Sequence, residues 1–140
     1  MNGGPLSDEE RLNWLILSRS ENVGPTTFKK LIKRFHTAGA ALRALPDLTR
    51  RGGLNRPPRI WSRDAAERAI ANAERIGARF LCSIEPTYPS LLRQADTAPP
   101  LLCIKVDERL LTRSGVAIVG ARNASALARK FSRQLAQEIG

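Results

Sequence analysis

The turn Gly120-Ala121-Arg122-Asn123-Ala124-Ser125 follows the apolar run Val116–Val119 and opens a helical pattern. A helix N-terminus presents unpaired N–H groups and a partial positive charge, and that combination holds phosphate. Gly120 lets the backbone turn without a Cβ and approach a ligand closely. Arg122 adds a planar fork that matches phosphate oxygens. Asn123 or Ser125 can cap the helix or donate to the same phosphate. A single glycine does not make the dinucleotide fingerprint G-x-G-x-x-G, and no G-K-[ST] follows, so neither NAD/FAD binding nor a P-loop is indicated. The same residues also fit a plain strand-to-helix connection, with Arg122 solvated and Ser125 only a cap.

A second set is Gly24, Thr26, Lys29, Lys30 and Lys33, in V-G-P-T-T followed by F-K-K-L-I-K-R-F. A glycine-containing hairpin between helices can offer backbone N–H groups to a DNA phosphate without reading sequence. Pro25 stands where a helix–hairpin–helix pattern usually has its second glycine, which favours a simple connector with a solvated basic face. Trp61, beside Arg59 and Arg63, is a candidate for stacking on a base, whereas Trp14 lies in an apolar run and belongs to a core. His36 is the single histidine and has no acid or nucleophile near it in sequence. No paired carboxylates, Cys/His cluster or nucleophile elbow stands out, so no catalytic residue, metal or cofactor is expected. Cys82 and Cys103 each sit in an apolar run and are expected to be reduced core residues.

The elements that must position these residues fall into two parts. Ser7-Asp8-Glu9-Glu10 spells a capping box, with Ser7 as the cap and Glu10 reaching back to it. A largely apolar helix follows through Leu17. Pro25 suits the first position of the next helix, in which Phe28, Leu31, Ile32 and Phe35 fall at i, i+3, i+4, i+7 and Lys29, Lys30, Lys33 and Arg34 take the other face. Thr37 opens a short Ala-rich helix through Leu45. Pro46 to Arg63 is expected to be mostly loop, and Asp64 to cap a helix that ends at Gly77. Residues 1–76 are thus expected to form a small helical domain. From Ala78 the period changes. Ala78–Ile84, Leu101–Val106 and Val116–Val119 are expected strands, the third buried on both faces, with a short helix through Leu91-Leu92 and a long one over Asn123–Ile139. Strand, turn, helix is the opening of a doubly wound α/β sheet, so residues 77–140 are expected to be the first portion of a Rossmann-like domain and the chain a fragment that stops before the remaining βα units.

The composition, 42% hydrophobic and 26% charged, is that of a globular protein. No apolar run approaches the roughly 18 residues that span a bilayer, and the N-terminus is no secretory signal, so the cytoplasm is the default compartment and no membrane partner is expected. The net charge is +10, and between Lys29 and Arg63 there are ten Lys/Arg against one acid, Asp47. Nucleic acid is the commonest partner for such a balance.

The segments G-A-R-F-L-C-S-I-E-P-T-Y-P-S-L-L-R (Gly77–Arg93), A-P-P-L-L (Ala98–Leu102) and V-A-I-V-G-A-R-N-A-S (Val116–Ser125), in this order and spacing, resemble the bacterial DNA-processing protein A family, DprA or Smf. The helical part, with V-G-P-T-T and F-K-K-L-I-K-R-F, is similar to that family's sterile-alpha-motif-like (SAM-like) domain. The resemblance implies a single-stranded-DNA-binding mediator of recombination that acts in DNA uptake and natural transformation. Such a protein protects incoming single strands, aids loading of the RecA recombinase, forms a homodimer and has no catalytic activity. It implies that Arg122 is part of the DNA pocket, with Gly120 and Ser125 shaping the turn. The chain departs from the family pattern where Leu127-Ala128 replace its Tyr-Gly and where Val106 replaces a glycine, and it stops before the family's S-G-x-A-x-G-I-D segment. The alternative from another class is a nucleotide-binding Rossmann-like enzyme related to the phosphoribohydrolases, whose G-G-x-G-T-x-x-E segment does not occur in the chain.

Overall fold

Helix α1 (Asp8–Arg19) is apolar nearly all round from Leu12 onward, and a helix of that kind belongs inside. Leu12, Trp14, Leu15, Ile16 and Leu17 are all buried. In the computed structural model, which describes residues 6–51, 56, 58–105 and 107–139, the other helices gather round it. Gly52, Gly53, Pro57 and Val106, assigned from sequence to the long loop and to a strand end, lie outside the described residues.

Only half of the expected capping box forms. The Ser7 hydroxyl accepts the Glu10 N–H at 3.2 Å. The Glu10 carboxylate does not reach back to Ser7. It turns toward α3 (Ala38–Arg51) and accepts the N–H groups of Ala38 and of Gly39, the latter at 3.3 Å. The reason is local. The first N–H groups of α3 are pressed against α1 and have little access to water, while Ser7 is exposed and can be solvated.

Helix α2 (Pro25–Phe35) follows the sequence expectation, with Gly24 as cap and Pro25 in the first turn. Phe28, Leu31 and Ile32 are buried while Lys29, Lys30, Lys33 and Arg34 are exposed. Trp14 and Phe28 meet edge to face at 4.9 Å, the arrangement their ring quadrupoles favour. Helix α3 begins after Thr37 as expected but does not stop at Pro46. The proline forfeits one ladder bond, yet the apolar series Ala38, Ala41, Leu45, Leu48 continues into the same core and carries the helix through. The Thr49 hydroxyl donates to the Leu45 and Pro46 carbonyls at 3.1 and 2.8 Å.

Helix α4 (Arg63–Arg75) is capped by Ser62, whose hydroxyl accepts the Ala65 N–H at 3.3 Å; Asp64 sits inside the first turn and is not the cap. Its end is a Schellman motif, with Gly77 N–H to Glu74 C=O at 2.9 Å and Ala78 N–H to Ala73 C=O at 2.8 Å. Gly77 takes φ +71° there, which only glycine adopts without penalty. Arg63 ties α4 to α1 through two 2.7 Å bonds to Glu9.

Strands β1 (Arg79–Cys82) and β2 (Leu101–Ile104) pair antiparallel, Arg79 opposite Ile104 and Cys82 opposite Leu101. The hairpin lies directly on the helices. Phe80 and Leu101 pack against Leu12, Leu15, Ile16 and Ala66, and Cys82 joins the cluster of Trp14, Phe28 and Ile32. On its other face Leu81, Tyr88 and Ile104 form a small core with Leu92, Leu102 and Leu111. The strand connection contains α5 (Ser90–Gln94) and is closed by Tyr88, whose hydroxyl donates to the Pro99 carbonyl at 2.8 Å.

Three expectations require correction. Cys103 is exposed and only Cys82 is a core residue; Cys103 stands opposite Phe80, on the same face of the hairpin as Leu101 and Cys82, but the helix clusters that take in Leu101 and Cys82 do not extend to it. Val116–Val119 is not a strand: no described segment pairs with it, and Val119 is 91% exposed. An isolated apolar run has no ladder partner to hold it extended in a sheet, whatever its propensity. The sheet among the described residues is therefore two-stranded and antiparallel, and the molecule is a helix-rich α/β fold. Helix α6 (Ala126–Ile139) starts three residues later than expected. A 3-10 turn at Glu108–Thr112, not foreseen, links β2 to the last segment.

Candidate nucleic-acid interface

Residues 114–139 form an extended segment, a turn and a helix. Val116 and Ile118 run along the end of α6 and, with Ala136 and Ile139, line a shallow groove. This brings Gly120–Ser125 to the N-terminal end of α6, with a turn at Arg122–Asn123. Ser125 is a cap: its hydroxyl accepts the Ala128 N–H at 3.2 Å and its carbonyl the Arg129 N–H at 3.0 Å. The helical ladder thus begins at Arg129, and the N–H groups of Ala126 and Leu127 stand outside it at the positive end of the helix dipole. No acid lies in the first turn to neutralise that end.

Gly120, Ala121, Arg122, Asn123 and Ser125 are all exposed. Arg122 has no ion pair among the described residues, whereas Arg11, Arg56, Arg63, Arg79 and Arg109 each have at least one. A Cβ added at Gly120 would meet nothing within 4 Å. Neither crowding nor a left-handed backbone demands glycine in this turn. The sequence reading overlooked a stripe on α6. Arg129 and Arg133 stand on the face opposite Leu127, Phe131 and Leu135, with Lys130 on the flank between, and the three cations are exposed. The i, i+4 spacing of Arg129 and Arg133 in R-K-F-S-R carries that signal.

The second set is arranged differently. Gly24 caps α2 with no side-chain bond, and no acid stands in that first turn. Thr26 and Lys30 are exposed. Lys29 is held in place, its Nζ donating to the Ala95 and Asp96 carbonyls at 2.7 and 3.1 Å. Lys29 and Lys33 line a groove completed by Ser83, Ile84 and Arg93, to which residues 120–125 contribute nothing. His36 ends α2 as its C-cap, at φ 67°. Trp14 is buried as expected. Trp61 is half-buried against Leu12, Leu15 and Ile16 and donates its backbone N–H to Ser20 Oγ at 3.2 Å. Among the described residues no cluster of metal-ligating side chains occurs, and no helix is long and apolar enough to cross a membrane.

Residues 8–72 match the family model described as a DprA-like N-terminal HHH domain, and residues 79–140 match that of the DNA recombination-mediator protein A family. The chain belongs to the DprA family. The two matches are separated only by residues 73–78 and together take in nearly the whole sequence. Membership fixes the general role, DNA processing in recombination. The N-terminal match carries the HHH description and not the sterile-alpha-motif one. No curated protein matches the chain.

Proposed function

We propose that this DprA-family chain binds the sugar–phosphate backbone of single-stranded DNA through the Gly120–Ser125 turn and the basic face of α6, as a non-catalytic mediator. The observation that carries this is the exposed Arg122, without an ion pair among the described residues, beside the unneutralised N-terminus of α6, continued by Arg129, Lys130 and Arg133. A row of cations along one helix suits a chain of phosphates better than a single nucleotide, because each cation can displace a condensed counterion. The start of α2, with Gly24, Thr26 and Lys30, offers the same sequence-blind chemistry at a second place.

The Rossmann-like and sterile-alpha-motif-like classes, the division of the chain near residue 76, cytoplasmic location, loading of RecA, homodimerisation and a role in DNA uptake belong to the same proposal. They rest on family membership together with the sequence resemblance. The enzyme alternative finds no support in the geometry, since the turn is flanked by cations and carries no carboxylate placed to activate water.

Fluorescence anisotropy with labelled oligothymidylate over a salt series tests the assignment. Arg122→Ala is expected to weaken binding about tenfold and to lower the salt slope by about one, the signature of one lost phosphate contact. Unchanged affinity and slope in that variant remove Arg122 from the interface.

A further inference from the structure

The groove between α2 and the segment after β1 has a composition that backbone binding does not explain. It measures about 630 Å³ and is lined by Trp14, Phe28, Ile32 and Ile84 on its apolar side, and by Lys29, Lys33, His36 and Arg93 on its rim. No acid contributes to its wall. The rim cations are built in. Lys29 is fixed by the Ala95 and Asp96 carbonyls. Arg93 donates to the Glu85 carbonyl at 2.6 Å and the Tyr88 carbonyl at 3.2 Å, with its guanidinium 5.7 Å from the centre of the Tyr88 ring. Carbonyls orient these cations without neutralising them, and neither Lys29, Lys33 nor Arg93 has a carboxylate partner among the described residues.

We infer that this groove docks an acidic peptide segment of a partner protein, with a bulky apolar side chain seated between Ile32 and Ile84 and its carboxylates on Lys29, Lys33 and Arg93. Charge complementarity selects the sign of the occupant, and the apolar lining selects a side-chain anchor. Single-stranded DNA fits less well. Bases stack on exposed aromatic faces, and here Trp14 and Phe28 are 4% and 2% exposed and spend their faces on each other and on the core. A base in this groove would also leave most of its polar edge facing hydrocarbon. The inference does not depend on the Arg122 site, which lies outside the groove.

The test uses the full chain and a fluorescein-labelled octapeptide, three aspartates, Phe-Leu, three aspartates. Two control peptides replace either Phe-Leu by Ser-Ser or every aspartate by asparagine. The expected result is micromolar binding by the first peptide, at least tenfold weakening in each control, and about tenfold weakening by Lys33→Glu, whose exposed site carries no folding role. The indole N–H resonance of Trp14 is expected to shift on binding while that of Trp61 stays. Equal affinity of the Ser-Ser control reduces the interaction to general attraction by a cationic protein and overturns the inference. So does an unmoved Trp14 resonance, or a shift of that resonance by oligothymidylate, which would make the groove a nucleic-acid site.

Discussion

Glu85 lies on a turn after β1 and ties that turn to α1 and β1. It accepts from Arg11 of α1 at 2.8 Å and from the Cys82 N–H at 2.6 Å, and it faces Arg79 at 3.5 Å. Arg11 also donates to the Phe80 carbonyl at 3.1 Å. Burial by itself would raise the Glu85 carboxyl, but the Arg11 hydrogen bond, the Cys82 N–H and the charges of Arg11 and Arg79 outweigh it and hold it below its ordinary value of 4.5. The neighbouring Cys82 thiol is pushed up to about 12, chiefly by burial and then by the Glu85 charge, so it stays protonated and inert. A carboxyl whose folded pKa is depressed stabilises the fold above its unfolded pKa, and the contribution disappears as pH falls through the lower folded value. Glu85→Gln is therefore expected to cost about 2 kcal/mol near neutral pH, less than for a fully buried pair because Arg11 keeps some water. The gap between the variant and the parent should close below the ordinary carboxylate value of 4.5. Urea denaturation at pH 7 and at pH 3.5 measures both. Nothing in S-I-E-P-T-Y-P marks Glu85 as a hub, because its partners are 74 residues away on α1 and 6 residues away on β1.

Elements were legible where one short segment carries its own instruction. The i, i+3, i+4, i+7 series gave α2 with its buried and basic faces, Pro25 its start, and Gly77 the end of α4. The Ser7 cap of α1 and the Thr37 opening of α3 were legible as well; that Glu10 of α1 also takes the first N–H groups of α3 was not. This has a measurable consequence. In a reciprocal box Ser7 and Glu10 would be coupled, whereas here their side chains serve different helices. Glu10→Ala is expected to cost about 1–2 kcal/mol and Ser7→Ala about 1 kcal/mol or less, because an exposed cap is partly replaced by water. The double variant is expected to be additive within about 0.5 kcal/mol. Coupling of 1 kcal/mol or more in denaturant unfolding would restore the reciprocal box. The candidate DNA turn was legible to the same degree: its place before α6 and the cap at Ser125 could be read locally, while the absence of an ion-pair partner for Arg122 among the described residues could not.

At the scale of the whole molecule the chain divides by how much of each element is covered. The four N-terminal helices and the β1–β2 hairpin share interlocking clusters around Leu12, Trp14 and Leu17. Beyond the hairpin, Val116, Val119, Leu127 and Phe131 are more than 60% exposed. Local opening costs little where few apolar contacts must break. Native-state hydrogen exchange is expected to find the amides of Leu81, Cys82 and Leu102 protected close to the global limit, and those of residues 116–124 exchanging at nearly unprotected rates. Strong protection of the Val116–Val119 amides would show that they pair in solution.

The sequence by itself determined the helix-rich first part, the two strands of the hairpin, the basic balance and the family, because periodicity, capping residues and short motifs are local properties of the chain. Only the tertiary structure decided that the hairpin lies on α1, that Glu10 and Glu85 serve distant elements, and that Arg122 has no ion-pair partner among the described residues. It also decided that the equally strand-like Val116–Val119 forms no strand. A helix satisfies its own backbone, so its sequence can specify it. A strand takes its hydrogen bonds from a neighbour, and a carboxylate takes its role from whichever N–H or guanidinium the fold brings beside it.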